Sequence, residues 1–286
     1  MKIVIYGLAK SGTSALFYKI RNSLPPGTIE LFEPSSFGPL DRVRARLRAL
    51  RRGHVRPDVV AKLLPWDRRP VRIGDFDGFD RRILLVRDPR DRLVSDLLYR
   101  SYNAAFAADG PRALEFLRLL RAKEAEPGEV PILRLVEAFD RLERAAGSRA
   151  DWIERYQRRG LLQPMQFHVE RPRLAVFRYE QLVDCQFASL EAALGMSLGG
   201  PAEVPPALNR VVRTKRYGAW RDWFTPEDVD SLRPMLTPYL DLYYPSADWD
   251  LNPSPSLDPE EGSLYVERII SERRDLLGLP RLADRT

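Results

Sequence analysis

An α/β fold, with a central parallel sheet flanked by helices on both faces and a helical insertion, is what this sequence predicts. Three observations lead there. Short β-rich runs alternate with longer helical patterns, which is the order of βαβ units. Several of those runs are apolar throughout rather than alternating, as strands buried on both faces are. The length of 286 residues is enough for one large α/β domain or two small ones.

Taken in order, "KIVIY" (2–6) reads as a first strand, followed by a helix over about 13–23. "TIELFE" (28–33) is a second strand, and in "LDRVRARLRALRRG" Val43, Leu47 and Leu50 recur at helical spacing between arginines. "DVVAKLL" (58–64), "RRILLVR" (81–87) and "RLAVFRY" (173–179) read as three more strands. Residues 92–159 are mostly helical, with breaks at Gly110-Pro111, Pro127-Gly128 and Gly147, and suit either packing layers or a lid over an acceptor pocket. Pro245, Pro253, Pro255 and Pro259 then suggest that one domain spans 1–244, and that 245–286 form a proline-rich linker and a last helix. In such a sheet a ligand belongs at the carboxyl ends of the strands.

Apolar residues make up 44% of the chain and charged ones 30%, a globular composition. Cys185 is the lone cysteine and demands no oxidising compartment, so a cytoplasmic location is expected. No apolar run approaches the roughly 18–20 residues of a membrane helix. A net charge of +6 and a pI near 9.5 point to an anionic partner: nucleic acid, a membrane surface or a phosphorylated small molecule. Only six of the 46 basic residues are lysines, so each lysine carries some information.

The most informative stretch is "IVIYGLAKSGTS" (3–14). Gly7 and Gly12 allow a tight turn between strand and helix, successive N–H groups form an anion nest, and the helix beginning at Thr13 offers its positive end. A kinase or NTPase P-loop needs lysine directly after the second glycine, yet here that slot holds Thr13 and the lysine, Lys10, lies inside the loop.

Ala9-Lys10-Ser11-Gly12-Thr13-Ser14 resembles the 5′-phosphosulfate loop of the sulfotransferases that use 3′-phosphoadenosine 5′-phosphosulfate (PAPS), whose pattern is close to P-K-S-G-T-[TS]. The resemblance implies a P-loop-NTPase-like sheet, PAPS as co-substrate and no metal. It places Lys10 on the oxygen bridging phosphate and sulfate, and Ser11, Gly12, Thr13 and Ser14 around the 5′-phosphate. An ammonium there would stabilise the charge that builds on the leaving phosphate. The chain departs from the pattern at Ala9, which replaces a proline, and at Ala15, where many relatives carry tryptophan.

Two more segments agree. In "LLVRDPRDRLVSDLLYRSY" (84–102) Arg87 ends a strand, Asp88 caps a helix with Pro89 at its first position, and Ser95 follows two turns on. Arg87 and Ser95 are candidates for the donor's 3′-phosphate, and the family carries an arginine and a serine at this spacing of eight. The competing view is an ordinary solvated helix start with Arg87, Arg90 and Arg92 facing water. In "VVRTKRYGAWRDWFT" (211–225), Arg216, Gly218 and Trp223 keep the family's R-x-G-x-x-x-x-W spacing, and "FRYEQLV" (177–183) resembles its Y-E-D element, which implies an adenine contact for Tyr179.

Transfer also needs a general base. Where many relatives carry K-x-H, "VVAKLLPWD" has Lys62 but Leu64 in place of the histidine. Lys62 is then the candidate for a second cation over the sulfuryl group. Asp67, His54 and His168, in that order, are the candidates for the base.

The acceptor stays open among small molecules, glycans and peptides, and the oligomeric state is open too. Two rival readings are a P-loop kinase or other ATP enzyme, which leaves Thr13 and the Arg87/Ser95 pair unexplained, and a non-catalytic anion or nucleic-acid binder. The second is disfavoured because the cations are interspersed with 40 acidic residues and no aromatic-basic repeat is present.

Overall fold

The computed structural model describes residues 1–51, 57–67, 69–143, 149–211 and 213–282. The chain divides into two compact units, Met1–Arg87 with Leu162–Asn209, and Asp88–Leu161 with Arg210–Thr286.

The first unit holds five strands: β1 (Lys2–Gly7), β2 (Ile29–Phe32), β3 (Val59–Leu63), β4 (Arg81–Val86) and β5 (Ala175–Arg178). They form one sheet in the order β2-β3-β1-β4-β5 with every neighbouring pair parallel. The α/β architecture with a central parallel sheet is the one expected. The apolar runs of β1 and β3 are buried because both have strands on either side, whereas β2 and β5 lie at the edges and stay partly exposed.

Helix α1 (Thr13–Ser23) buries Leu16, Phe17 and Ile20 against Ile3, Ile5 and Val60. Each such side chain contributes about 1.5–3 kcal/mol of hydrophobic stabilisation. The connection from β1 runs to β2 on one side of it and the connection from β3 runs to β4 on the other, so the chain reverses direction between the adjacent strands β1 and β3 at their carboxyl ends. That is the crevice where ligands bind in doubly wound sheets.

Helix α2 (Pro39–Arg51) forms where the Val43, Leu47 and Leu50 spacing predicts it, but those three side chains are exposed, while Ala45 is buried.

In the second unit, helices α3 (Pro89–Tyr99), α4 (Ala104–Ala108), α5 (Gly110–Ala125), α6 (Ile132–Glu143) and α7 (Arg149–Gln157) account for the helical stretch expected over 92–159. The first unit adds α8 (Gln163–Val169), α9 (Tyr179–Val183) and α10 (Ala188–Leu194), and the second ends with α11 (Trp220–Trp223), α12 (Pro226–Tyr243) and α13 (Ser263–Leu276). Asp228, fully buried, accepts from the Thr225 amide at the head of α12 and from the Ile132 and Leu133 amides at the head of α6. Helix α13 buries Tyr265, Val266, Ile269 and Ile270, and Arg274 donates to the Ala107 carbonyl at 2.6 Å. The apolar face of this last helix is part of the second unit's core.

Candidate functional site

The loop between β1 and α1 stands at the carboxyl end of the sheet. Gly12 precedes α1 with φ 84°, a left-handed conformation that suits glycine, and as the N-cap residue it offers no side chain to the first-turn N–H groups of the helix. Thr13 sets its methyl over Gly7, where any Cβ would collide with it. The Ser11 hydroxyl is buried and has no hydrogen-bond partner among the described residues. Lys10 takes φ 67°, uncommon outside glycine. The loop thus gathers helix-head amides and buried hydroxyls, the equipment of an anion site.

Register explains the next two cations. Lys62 pairs with Ile5 on one side and with Phe32 on the other, so its side chain leaves the sheet next to the ends of β1 and β2. Its ammonium donates to Ser14 Oγ at 2.9 Å and to Glu33 Oε1 at 2.6 Å, and lies 4.2 Å from the Phe32 ring centroid. Burial pushes the Lys62 pKa below the ordinary lysine value, with the Glu33 carboxylate acting against that shift. Glu33 was missed by the sequence reading. It follows β2 directly, takes φ 53°, and carries a side chain 39% exposed. Of the three non-glycine residues with positive φ among those described, Lys10 and Glu33 both belong to this cluster. Such outliers collect at functional sites.

Val86 pairs with Arg178, which brings the following residues, Arg87 and Tyr179, side by side. The Arg87 guanidinium lies 4.3 Å from the Tyr179 ring centroid, and Nη1 donates to the Lys10 carbonyl at 2.8 Å. Arg87 is 5% exposed and its Nε has no partner among the described residues. The same tyrosine ring fills the space where a side chain on Gly12 would project. Arg87 and Tyr179 are therefore built into the loop's support.

Asp67 lies in the turn after β3, exposed, within electrostatic range of Lys62. His168 sits in α8 beside Phe167, whose ring touches Tyr6 of β1 and Trp66 after β3. Burial lowers its pKa below the ordinary histidine value. His54 lies outside the described residues.

The remaining candidates belong to the second unit. Ser95, on α3, is 3% exposed. The solvated helix start considered for this segment does not occur: Arg90, Asp91 and Arg92 are each buried. Arg90 bonds Asp88 and stacks 3.9 Å from the Trp220 ring, while Arg92 stacks 4.3 Å from the Tyr156 ring. Asp91 accepts from the amides of Gly218 at 2.5 Å and Trp220 at 3.0 Å, fastening the loop that carries Arg216. Arg216 itself is half-exposed and pairs with Glu261 at 2.5 Å. The sequence signal for these burials lies in the aromatic partners, which are too distant along the chain for spacing to reveal.

Among the described residues no group of three or more His, Cys, Asp or Glu side chains is gathered to hold a metal ion, and no helix is long and apolar enough to cross a membrane.

No family model matches the chain, and no curated protein matches it. Among solved structures it is similar to mouse sulfotransferase SULT7A1, crystallised in complex with PAP, at 17% identity over 84% of each chain and a TM-score of 0.44. That likeness is too loose to speak for the site.

Proposed function

We propose that the chain transfers a sulfuryl group from PAPS to a hydroxyl or amine acceptor by in-line displacement. The observation that supports this most is the bond from Arg87 to the Lys10 carbonyl. It joins the cation expected on the donor's 3′-phosphate to the loop expected on its 5′-phosphosulfate, two motifs that sequence reading found 77 residues apart. The buried Ser11 hydroxyl, the Arg87 Nε and the head of α1 fit a multiply charged anion. Thr13 in the lysine slot of a P-loop sets the loop apart from an ATP site.

When bound, PAPS would supply the sulfuryl group. The acceptor oxygen or nitrogen bonds to sulfur as the bond from sulfur to the bridging oxygen breaks, and adenosine 3′,5′-bisphosphate leaves. Lys10 stabilises the negative charge gathering on that oxygen, and Thr13 and Ser14 hold the 5′-phosphate. Lys62 adds a second cation and is joined by hydrogen bonds to both Ser14 and Glu33. Glu33 takes the acceptor proton: it is the carboxylate held by the lysine that also bonds the phosphate loop. Asp67, His54 and His168 are the alternatives. Tyr179 holds Arg87 by its ring face. Ser95, Arg216 and Gly218 are candidate donor contacts by their sequence spacing alone. The acceptor is a small molecule, glycan or peptide.

Calorimetric titration with adenosine 3′,5′-bisphosphate and with ATP, each with and without magnesium, tests the reading. Tighter binding of the bisphosphate, independent of magnesium, supports it; tighter, magnesium-dependent ATP binding overturns it. Labelled PAPS with an acceptor panel then reads the transfer itself.

A further inference from the structure

Helix α2 turns an apolar stripe to solvent. Leu40, Val43, Leu47 and Leu50 are 73%, 56%, 52% and 53% exposed. Their spacing of three, four and three residues gathers them into an arc of about 80° at about 100° per residue. The opposite side of the helix is the docked one. Ala45 is buried there, and Arg42 donates from Nε to the Phe37 carbonyl at 3.2 Å and from Nη2 to the Asp75 carbonyl at 2.9 Å. The stripe is thus a consequence of how the helix is fastened. An apolar row on a helix normally faces a core, and a contiguous exposed one marks an interaction surface.

Charge decides the partner. The helix segment contains five arginines and a single acidic residue, Asp41, whose carboxylate is engaged with the Gly38 amide. On a helical projection Arg46 borders the stripe on one side and Arg44 and Arg51 on the other, and all three are exposed. Leucine and valine flanked on both sides by arginine is the pattern of a helix lying in the interface of an anionic bilayer, with apolar side chains among the acyl chains and guanidinium groups at the phosphates.

A second copy fits poorly, because a two-fold pairing of α2 with itself would bring arginine borders together. A nucleic acid offers phosphates and nothing for the leucines. We infer that the α2 face of this protein docks on anionic lipid surfaces, through Leu40, Val43, Leu47 and Leu50 and the bordering arginines. Association of this kind is peripheral and reversible, and it is independent of the proposed chemistry.

Co-sedimentation of the full chain with vesicles of phosphatidylcholine alone, and of phosphatidylcholine mixed with phosphatidylserine, tests it. Binding is expected to the mixed vesicles only and to weaken with added salt. Combined Val43→Ser, Leu47→Ser and Leu50→Ser should reduce it at least tenfold. Arg44→Glu and Arg46→Glu should each reduce it about fivefold or more. All five positions are exposed, and an unchanged thermal transition verifies that each variant is folded. Undiminished binding by the triple serine variant overturns the inference. So does absence of binding to the anionic vesicles, whether or not the chain then proves to self-associate or to capture an acidic protein through this face.

Discussion

Arg87 donates through Nη1 to the main-chain carbonyl of Lys10 at 2.8 Å, so a cation at the end of β4 props the loop at the end of β1. The contact is possible because β1 and β4 are adjacent parallel strands whose carboxyl ends stand level, Gly7 opposite Leu85. The guanidinium group also lies against the Tyr179 ring.

Separate roles for the two residues predict separate kinetic effects. Arg87→Ala should weaken binding of adenosine 3′,5′-bisphosphate by about tenfold or more, the scale of a lost charge-assisted bond, with a smaller effect on kcat. Lys10→Ala should abolish turnover while the chain still unfolds cooperatively, since Lys10 is partly exposed and supports no core. Titration calorimetry and single-turnover transfer read the two. Normal turnover in Lys10→Ala would remove the loop from the chemistry.

Glu33→Gln keeps the size of the side chain and its contact to Lys62 but discards the basic carboxylate. Turnover should fall roughly 10²–10⁴-fold with donor affinity little changed. Asp67→Asn and His168→Ala measured alongside distinguish the alternatives: if one of them collapses turnover while Glu33→Gln is near normal, the base is reassigned.

Gly12→Ala combines an unfavourable positive φ with a Cβ driven into the Tyr179 ring. A loss of about 2–4 kcal/mol is expected from strain and overpacking together. Adding Tyr179→Leu should return the steric part and leave the conformational part. Urea denaturation of the single and double variants gives both numbers, and a neutral Gly12→Ala would contradict the packing.

Lys123 provides a pH signature. It is fully buried, donates to the Pro127 carbonyl at 2.6 Å, and burial lowers its pKa from 10.5 to about 8. Between those values the unfolded chain keeps a proton that the folded chain has released, so stability rises with pH across that window and the effect is flat below it. The stability of the wild type minus that of Lys123→Met should therefore increase from about pH 8 to about pH 10 in urea melts. A difference that shrinks over that range would show the ammonium is favoured by the fold.

Much of the first unit is legible in the chain. The runs apolar throughout mark the buried central strands, and all five strands fall on β-rich runs of the sequence. Gly7, Gly12 and Thr13 mark the loop because few residue types tolerate the turn and the close approach it requires. Glu33 was not legible, since its significance comes from Lys62 on a neighbouring strand 29 residues away. The burial of Arg90 and Arg92 was not legible either, because arginines beside a helix start look solvated until Trp220 and Tyr156 fold over them.

The sequence by itself determined the fold class, the position of the anion loop and the order of its elements, all of which rest on local propensity and short-range pattern. Only the tertiary structure decided which charges are paired with which, that the Val43, Leu47 and Leu50 stripe faces outward, and that the last helix is core. Those outcomes depend on residues far apart in the chain sharing one low-dielectric space, and spacing along a sequence carries no record of that.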